Sequence, residues 1–600
     1  MKKMMNRISV LTTVSLIALC CACSDIKFGD KFLEKAPGVD VTQDTIFSSK
    51  MYADRALTAA YSTLRYGIVG PNQPATEFPL TYMGNKLGYD CLEALTDIDQ
   101  TFCTWGGVDG LYYNGQYNAA TEEESSSTKY GYNPDREYSW IGIRRAYIYI
   151  ENVDRVPDMT EEDIKRGKAE AKMIIASHYH EMMRHFGSVP IIDHVVTLDE
   201  GNEYPRATLE EMVDFIVKLI DEAAVDLPWQ VSAENDGRFC RAGALGLKVR
   251  VLLLAASPIF NDSEPYMEGE ASDKKMTWYG NKDFQRWEKV IKACEDFFLE
   301  NNKNGEVFQL VDTGNPREDF INAYWKRHNN EILIATCRFR HDFTPYWWSN
   351  LYHPQYMGTY GGGCVTLDYV NKFEFMDGTK FDWNNPEHAK DPFTNRDPRL
   401  YETVLVNGDY FQGRTAQLYI GGEERGPMND LQCKTGFGTR KFLWERDDAT
   451  LSYRVVNYPY LRLPEIYLSY AEALNETGRI GEAYSWINKV RNRVDLPNLP
   501  QVYSKEELRE EILDERAREF AFEEVRWFDL VRWKREDIFK QDLHGLYIYK
   551  TNNPDNPFTY EQWKLPERYW KKNWSPKWYF SAFPPSEVNK RYGLIQNPGW

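Results

Sequence analysis

Residues 458–497 read YPYLRLPEIYLSYAEALNETGRIGEAYSWINKVRNRVDLP. Leu463, Ile466, Tyr467, Tyr470, Ala471 and Leu474 recur three and four apart, which lines one face of a helix with apolar side chains. Gly478 follows that stripe, where a left-handed residue closes a helix. A second stripe starts at once with Ile480, Ala483, Tyr484, Ile487 and Val490. Two helices joined by so short a turn form an antiparallel hairpin. Such pairs, of roughly 34 residues, are the unit of tetratricopeptide stacking.

Outward from this hairpin, three capping boxes mark further helix starts: Thr160 with Asp163, Thr208 with Glu211, and Ser504 with Glu507. In each, the hydroxyl accepts from a free backbone N–H and the acid reaches back. Behind Thr208, Leu209, Met212, Val213, Ile216, Leu219, Ile220, Ala223 and Leu227 repeat the helical spacing. Residues 140–156 with 160–186, 208–227 with 241–257, and 463–477 with 480–494 therefore predict three helical pairs. The helix from Ser504 caps the last. Between them run stretches at about 66–138, 258–283, 301–462 and 535–600, rich in Gly, Pro, Asn and aromatics. Long loops inside an ordered protein are usually functional. The expected fold is mainly α: a tetratricopeptide-like helical-pair scaffold with long irregular loop insertions and a few short strands.

The chain has 600 residues, 42% hydrophobic and 27% charged, the balance of a globular protein. Its net charge of −18 makes nucleic acid a poor partner, because nothing offsets repulsion from phosphate. The same excess of acid opposes adsorption to anionic lipid. With 18 Trp, 39 Tyr and 30 Phe in a chain of mean hydropathy −0.59, some rings must lie at the surface.

At the N-terminus, Lys2, Lys3 and Arg7 precede an uncharged apolar run from Ile8 to Ala22. That run is too short for a bilayer span, which needs roughly 20 residues, but suits a signal peptide. Cys20, Cys21 and Cys23 follow closely, and only Cys23 has a small residue, Ala22, before it. The expectation is a lipoprotein signal over 1–22 with Cys23 acylated, and membrane attachment through that lipid alone. Ser24-Asp25 with Asp30 and Glu34 resembles the acidic stretch that sends Bacteroidetes lipoproteins to the cell surface. The seven later cysteines form no C-x-x-C pair, so no zinc ribbon or redox motif is visible.

Two constellations imitate chemistry. His178, His180 and His185 suggest a metal site, but the last two are five apart, about 140° round a helix. A structural helix is the better reading. The run Glu510, Glu511, Asp514, Glu515, Arg516, Arg518 and Glu519 holds many carboxylates, yet alternating charge on a helix usually marks a solvated or ion-paired face. No catalytic, metal or cofactor residue is assigned.

Beyond 458–497 the chain continues with EILDERAREFAFEEVRWFDLVRW (511–533) and closes on FPPSEVNKRYGLIQNPGW (583–600). FLEKAPG (32–38), WIGIRRAYIYIENVD (140–154), HFGSVPII (185–192), RAGALGLKVRVLLLAASPIFND (241–262), FEFMDG (373–378) and DPR (397–399) precede them. In order and spacing these resemble the SusD/RagB family of surface nutrient-binding lipoproteins. Glu524 departs from the pattern, standing where the family usually has Gly. The resemblance implies one domain over 23–600, with the scaffold at about 40–65, 140–257, 284–300 and 458–533. Ligand-binding loops would occupy about 66–138, 258–283 and 301–457. It implies no catalysis, a glycan ligand, and a SusC-like TonB-dependent outer-membrane transporter as partner. A peptide ligand and a surface glycosidase are the alternatives.

A sugar presents C–H groups that stack on the negatively polarised face of an aromatic ring. Family analogy favours the first three of four aromatic clusters. The candidates are Trp105, Tyr112 and Tyr113; Tyr266, Trp278 and Tyr279; and Tyr346, Trp347, Trp348 and Tyr352, with Asn350 as a polar partner. Trp563, Tyr569, Trp570, Trp574 and Trp578 form the disfavoured fourth cluster.

Overall fold

The computed structural model describes residues 43–64, 87, 90–104, 108–123, 139–326, 329–337, 362–411, 413–443 and 457–600. The scaffold comprises α1 (Lys50–Tyr61), α2 (Ser139–Asn152), α3 (Glu161–Phe186), α4 (Leu209–Asp226), α5 (Arg241–Ala256) and α6 (Gln285–Lys303). It resumes with α7 (Leu463–Glu476), α8 (Ile480–Arg493), α9 (Lys505–Phe520) and α10 (Arg526–Arg532). From α1 to α6 each helix packs on the one before it. Helix α7 continues the stack on α5 and α6, although residues 304–462 intervene in sequence.

All three capping boxes form, at Thr160, Thr208 and Ser504. Gly478 takes a φ of +82° after α7, the left-handed turn expected of it. The stripe of α4 is buried from Leu209 to Ala223, while α5 is buried nearly all round because α4, α6 and α7 enclose it. No helix among the described residues is long and apolar enough to cross a membrane.

The strands are short and antiparallel. β1 (Asp99–Thr101) pairs with β3 (Gly363–Val365), and β2 (Ile332–Cys337) pairs with β4 (Asn457–Arg462). The region 535–600, read from sequence as irregular, holds a regular hairpin of β5 (His544–Lys550) and β6 (Phe558–Lys564). Leu546 and Ile548 turn inward and are buried. Their alternation is masked in sequence because the outward residues, Tyr547 and Tyr549, are aromatic as well.

The histidines of α3 serve packing. The His178 Nε2 meets the Thr63 hydroxyl at 2.8 Å, His180 Nδ1 meets the Tyr460 hydroxyl at 3.1 Å, and His185 lies edge-on to Phe528.

A buried charged junction ties the insertion to α8 and α9. Arg399 bonds Asp397 at 2.8 Å, Glu515 at 2.6 Å and Glu519 at 3.2 Å. Arg462 reaches Glu519 at 2.8 Å, Glu523 at 2.7 Å and Glu331 at 3.3 Å. Arg493 joins Glu331 at 2.9 Å and Glu519 at 2.5 Å. Burial alone would raise both acids of α9, but the guanidinia win. Arg399, Arg518 and Arg491 hold Glu515 down at about 2, and Arg493, Arg462 and Arg399 hold Glu519 well below the carboxylate range. A carboxylate pair for glycoside cleavage needs one acid raised to donate a proton. These two carboxylates are locked ionised.

Candidate ligand-binding face

The β1–β3 ribbon sets Asp99 opposite Val365 and Thr101 opposite Gly363. Pairing continues one step further, the Phe102 N–H donating to the Gly362 carbonyl at 2.8 Å. Glycine is needed there for space, since a Cβ would stand 2.2 Å from the Cys103 Sγ. The ribbon end therefore fixes Cys103 and Gly362 side by side. From these two points the chain runs on to Trp105 and back to Tyr352. Trp105, Tyr346, Trp347, Trp348, Asn350 and Tyr352 lie outside the described residues, as does Cys23.

The ribbon is clamped from below. Both oxygens of Asp97 bond the Arg526 guanidinium of α10, at 2.8 and 2.7 Å, the two-pronged geometry that gives an ion pair its direction. Glu93 accepts the Glu524 N–H at 3.0 Å, and Asp90 accepts the Val108 N–H at 3.1 Å. Arg568 donates to the carbonyls of Thr96 and Asp99 at 2.8 and 2.7 Å. Burial pushes Asp90 up to about 6. Burial and then the charge of Glu524 push Glu93 up to about 7. Asp99 is raised well above its ordinary value by burial and by Asp90. These carboxyls lie beneath the face, fully buried, and serve its support.

Three of the sequence candidates are packed inward. Tyr112 and Tyr113 are each 8% exposed. Tyr112 stacks on Tyr117 at 4.6 Å and meets Trp570 edge-on at 6.2 Å. The Tyr113 hydroxyl donates to the Ala94 carbonyl, and Arg568 covers its ring at 4.6 Å. Tyr266 is buried against Phe580 at 4.9 Å. Their faces are used within the protein, so the expectation that they present stacking surfaces is corrected. Trp278 is half-buried with its indole N–H on the Ser272 carbonyl at 2.8 Å. Tyr279 is half-buried too, one face taken by Arg286 at 3.7 Å.

Tyr112 and Tyr113 of the first aromatic cluster and Trp570, Trp574 and Trp578 of the fourth, kept apart in sequence, form one nucleus. Tyr117 meets Trp578 at 5.9 Å and Trp600 at 5.2 Å, and the Tyr569 N–H donates to the Tyr113 carbonyl at 2.7 Å. What this loop shows to solvent is polar, namely Asn114, Gln116 and Asn118, with the 37%-exposed ring of Tyr569 beside Gly115. Sequence reasoning passed over Tyr547 of β5, which reaches the ribbon end through Trp563. Tyr547 stacks on Trp563 at 5.0 Å, and Trp563 packs on Phe102, Cys364, Leu543 and Leu565. The signal in sequence is the β-favouring run LYIY at 546–549, whose inward–outward alternation the aromatic rings hide. Among the described residues no group of three or more His, Cys, Asp or Glu is placed to hold a metal ion.

Comparison with known proteins agrees with this architecture. A model described as "SusD family" matches residues 335–600, and one described as "Starch-binding associating with outer membrane" matches residues 98–253. Between them they cover more than half of the chain. The SusD-like protein P25 of Formosa agariphila is 22% identical over 572 residues, 88% of this chain and 89% of that protein. The starch-binding protein SusD of Bacteroides thetaiotaomicron is 24% identical over 416 residues, 66% of this chain and 69% of that one. A crystal structure of a SusD-like protein from Bacteroides fragilis superposes with a TM-score of 0.72 at 23% identity, covering 94% of this chain and all of that one. In sequence motifs, in the stacked helical pairs and in the matched family models alike, the chain belongs to the SusD/RagB family.

Proposed function

We propose that this protein captures a glycan at the cell surface and passes it to a SusC-like TonB-dependent transporter in the outer membrane. It is held there by lipid on Cys23 and does not cleave what it binds. One observation carries the reading: a rigid ribbon, clamped by Arg526 and Arg568, sets the roots of the two aromatic-rich loops side by side at Cys103 and Gly362. Adjacent roots tether both aromatic-rich segments at one place in the fold, which supports a shared ligand. The starch-binding relative and the family description naming starch binding and outer-membrane association point to the same ligand class and location.

Titration calorimetry against soluble plant, host and microbial glycans, starch and laminarin among them, tests the reading. The expected result is micromolar or weaker binding to one of them, with no new reducing ends. Replacing Trp347 and Trp348 together by Ala lowers that affinity at least tenfold while the melting temperature holds. Silence across the panel overturns the glycan reading in favour of a peptide. Release of reducing ends overturns the non-enzymatic one. A Cys23→Ala protein that stays in the membrane fraction overturns the anchor.

A further inference from the structure

On the inner side of the β5–β6 hairpin, away from the ribbon end, lies an open cleft of about 450 Å³. That volume falls in the range of small-molecule sites, roughly 300–1,000 Å³. Its walls come from three separate segments: 390–394, 401–409 and 555–560. Tyr401, Phe558 and Tyr560, each half-buried, supply the rings, with Phe393, 8% exposed, packed edge-on to Tyr560. Each is fixed by a neighbour. Arg317 covers Tyr401 at 5.0 Å, Tyr419 stacks on Phe558 at 5.8 Å, and Phe393 stands edge-on to Tyr560 at 6.0 Å. The Tyr401 hydroxyl is further locked, donating to the Phe393 carbonyl at 2.5 Å and accepting from the Arg396 N–H at 3.0 Å. Rings held in this way offer contact area without losing side-chain freedom on binding.

Polar groups share the same walls. Asn407 uses its Oδ1 to accept the Leu418 N–H at 3.0 Å, which leaves its amide nitrogen to donate. Lys390 and Asp555 stand exposed at the rim. Charge narrows the ligand class. Among the described lining residues Lys390 is the one cation, set against Asp391, Asp409 and Asp555. The guanidinia behind the wall, Arg317 and Arg440, are already engaged by Asp409 and Glu402. Among the described residues no paired cations face the cleft to compensate a sulfate or a uronate. Fixed aromatic rings beside single hydrogen-bonding groups suit the C–H faces and hydroxyls of an uncharged sugar.

We propose that this cleft is a second binding site for a short stretch of neutral glycan, separate from the face at the ribbon end. The inference rests on the glycan-binding reading above. Two sites on one protein let a long chain engage twice, and the second contact is then intramolecular. A polysaccharide is therefore held more tightly than a fragment that fills either site alone.

The test fills the cleft without disturbing its rings. Thr394 is an exposed lining residue, so Thr394→Trp occludes the opening while Thr394→Ala serves as the control. Titrations use whichever neutral polysaccharide of the panel binds the wild type, together with its short oligosaccharides. Thr394→Trp is expected to weaken polysaccharide binding three- to tenfold, with Thr394→Ala close to wild type and both melting as wild type does. In a Trp347→Ala, Trp348→Ala background, weak residual binding should remain and should vanish on adding Thr394→Trp. Wild-type affinity in Thr394→Trp, or residual binding that survives it, overturns the second site and leaves the first standing. A wild type that binds no glycan overturns both, so the two failures read differently.

Discussion

The helical stack α2–α6 and the charged junction around α9 are both buried, but opposite chemistry holds them. In the stack, apolar stripes such as Ile216, Leu219 and Ile220 face neighbouring helices, and capping boxes close the ends. At the junction, Arg399, Arg462, Glu515 and Glu519 have fully buried side chains and are held by ion pairs with one another and with Asp397, Glu331, Glu523, Arg491, Arg493 and Arg518. Removing an apolar group leaves a small cavity, whereas removing one charge strands its partners away from water. The stack is thus tolerant and the junction is not, and the junction is what fastens the insertion to the scaffold.

The largest effect should come from Glu519→Ala. It leaves Arg462, Arg493 and Arg399 short of a shared partner, and breaking a buried pair in this way costs about 3–5 kcal/mol. Urea unfolding should show a lower midpoint at unchanged slope. A loss under about 1 kcal/mol would mean that the remaining acids re-pair freely, and the contrast with the stack would fall.

This contrast also separates what the sequence disclosed from what it hid. Apolar period three-to-four and a hydroxyl before an acid are local signals, so α7 and α8 were legible from their stripes and α3, α4 and α9 from their caps. The junction was half legible. The acid–base run of α9 was read as a solvated or ion-paired face; it is ion-paired, but with partners from Arg399 to Arg493 that no local pattern marks. Burial of charge depends on segments that meet only in three dimensions. The same holds for the ligand face. Tyr112 and Tyr113 look like exposed loop aromatics until Trp570, Trp578 and Arg568 arrive from the far end of the chain.

pH separates two buried acidic groups within the molecule. Glu515 and Glu519 have folded-state values depressed below the ordinary range, so their contribution is full above about 4.5 and is lost as pH falls toward 2. Glu93, beneath the ribbon, is raised from 4.5 to about 7. There the folded state keeps a proton that the unfolded chain has released, so stability is greatest below pH 4.5 and declines as pH rises to 7. Each such group adds a slope of up to ~1.4 kcal/mol per pH unit. Between pH 5 and 7 Glu515 and Glu519 are silent, and the slope sums the raised carboxyls Glu93, Asp90, Asp99, Glu331, Glu170 and Asp368 with the raised His194, so the share of Glu93 is read from its own substitution. Glu93→Gln should flatten the unfolding free energy over that window; an unchanged slope would assign it elsewhere.

In the stack, Ile216→Val should cost about 0.5–1.5 kcal/mol, the loss of one buried methylene. That cost should be the same at pH 5 and pH 7, because no titrating group is involved. A pH-dependent cost would show that stack and ribbon base unfold as coupled units and would blur the comparison.

The smallest effect is the most discriminating, because it falls where the scaffold meets the ribbon. Glu524 has a φ of +57°, a left-handed backbone that costs a residue with a Cβ roughly 1–2 kcal/mol and a glycine almost nothing. That is a physical reason for glycine at this position. In return its Oε2 lies 3.4 Å from Arg184, which also holds Glu181 at 2.5 Å, a gain of the same order as the strain. Its backbone N–H to Glu93 survives any substitution that keeps the turn. Glu524→Gly should therefore leave stability at pH 5 unchanged or raised by about 1 kcal/mol. It should also shrink the fall between pH 5 and 7, since the charge that helps raise Glu93 is gone. Denaturation at the two pH values decides it. A glycine variant weaker than wild type by more than about 1 kcal/mol would mean that the Glu524 side chain, and not only its backbone, ties Arg184 of the stack to the ribbon base.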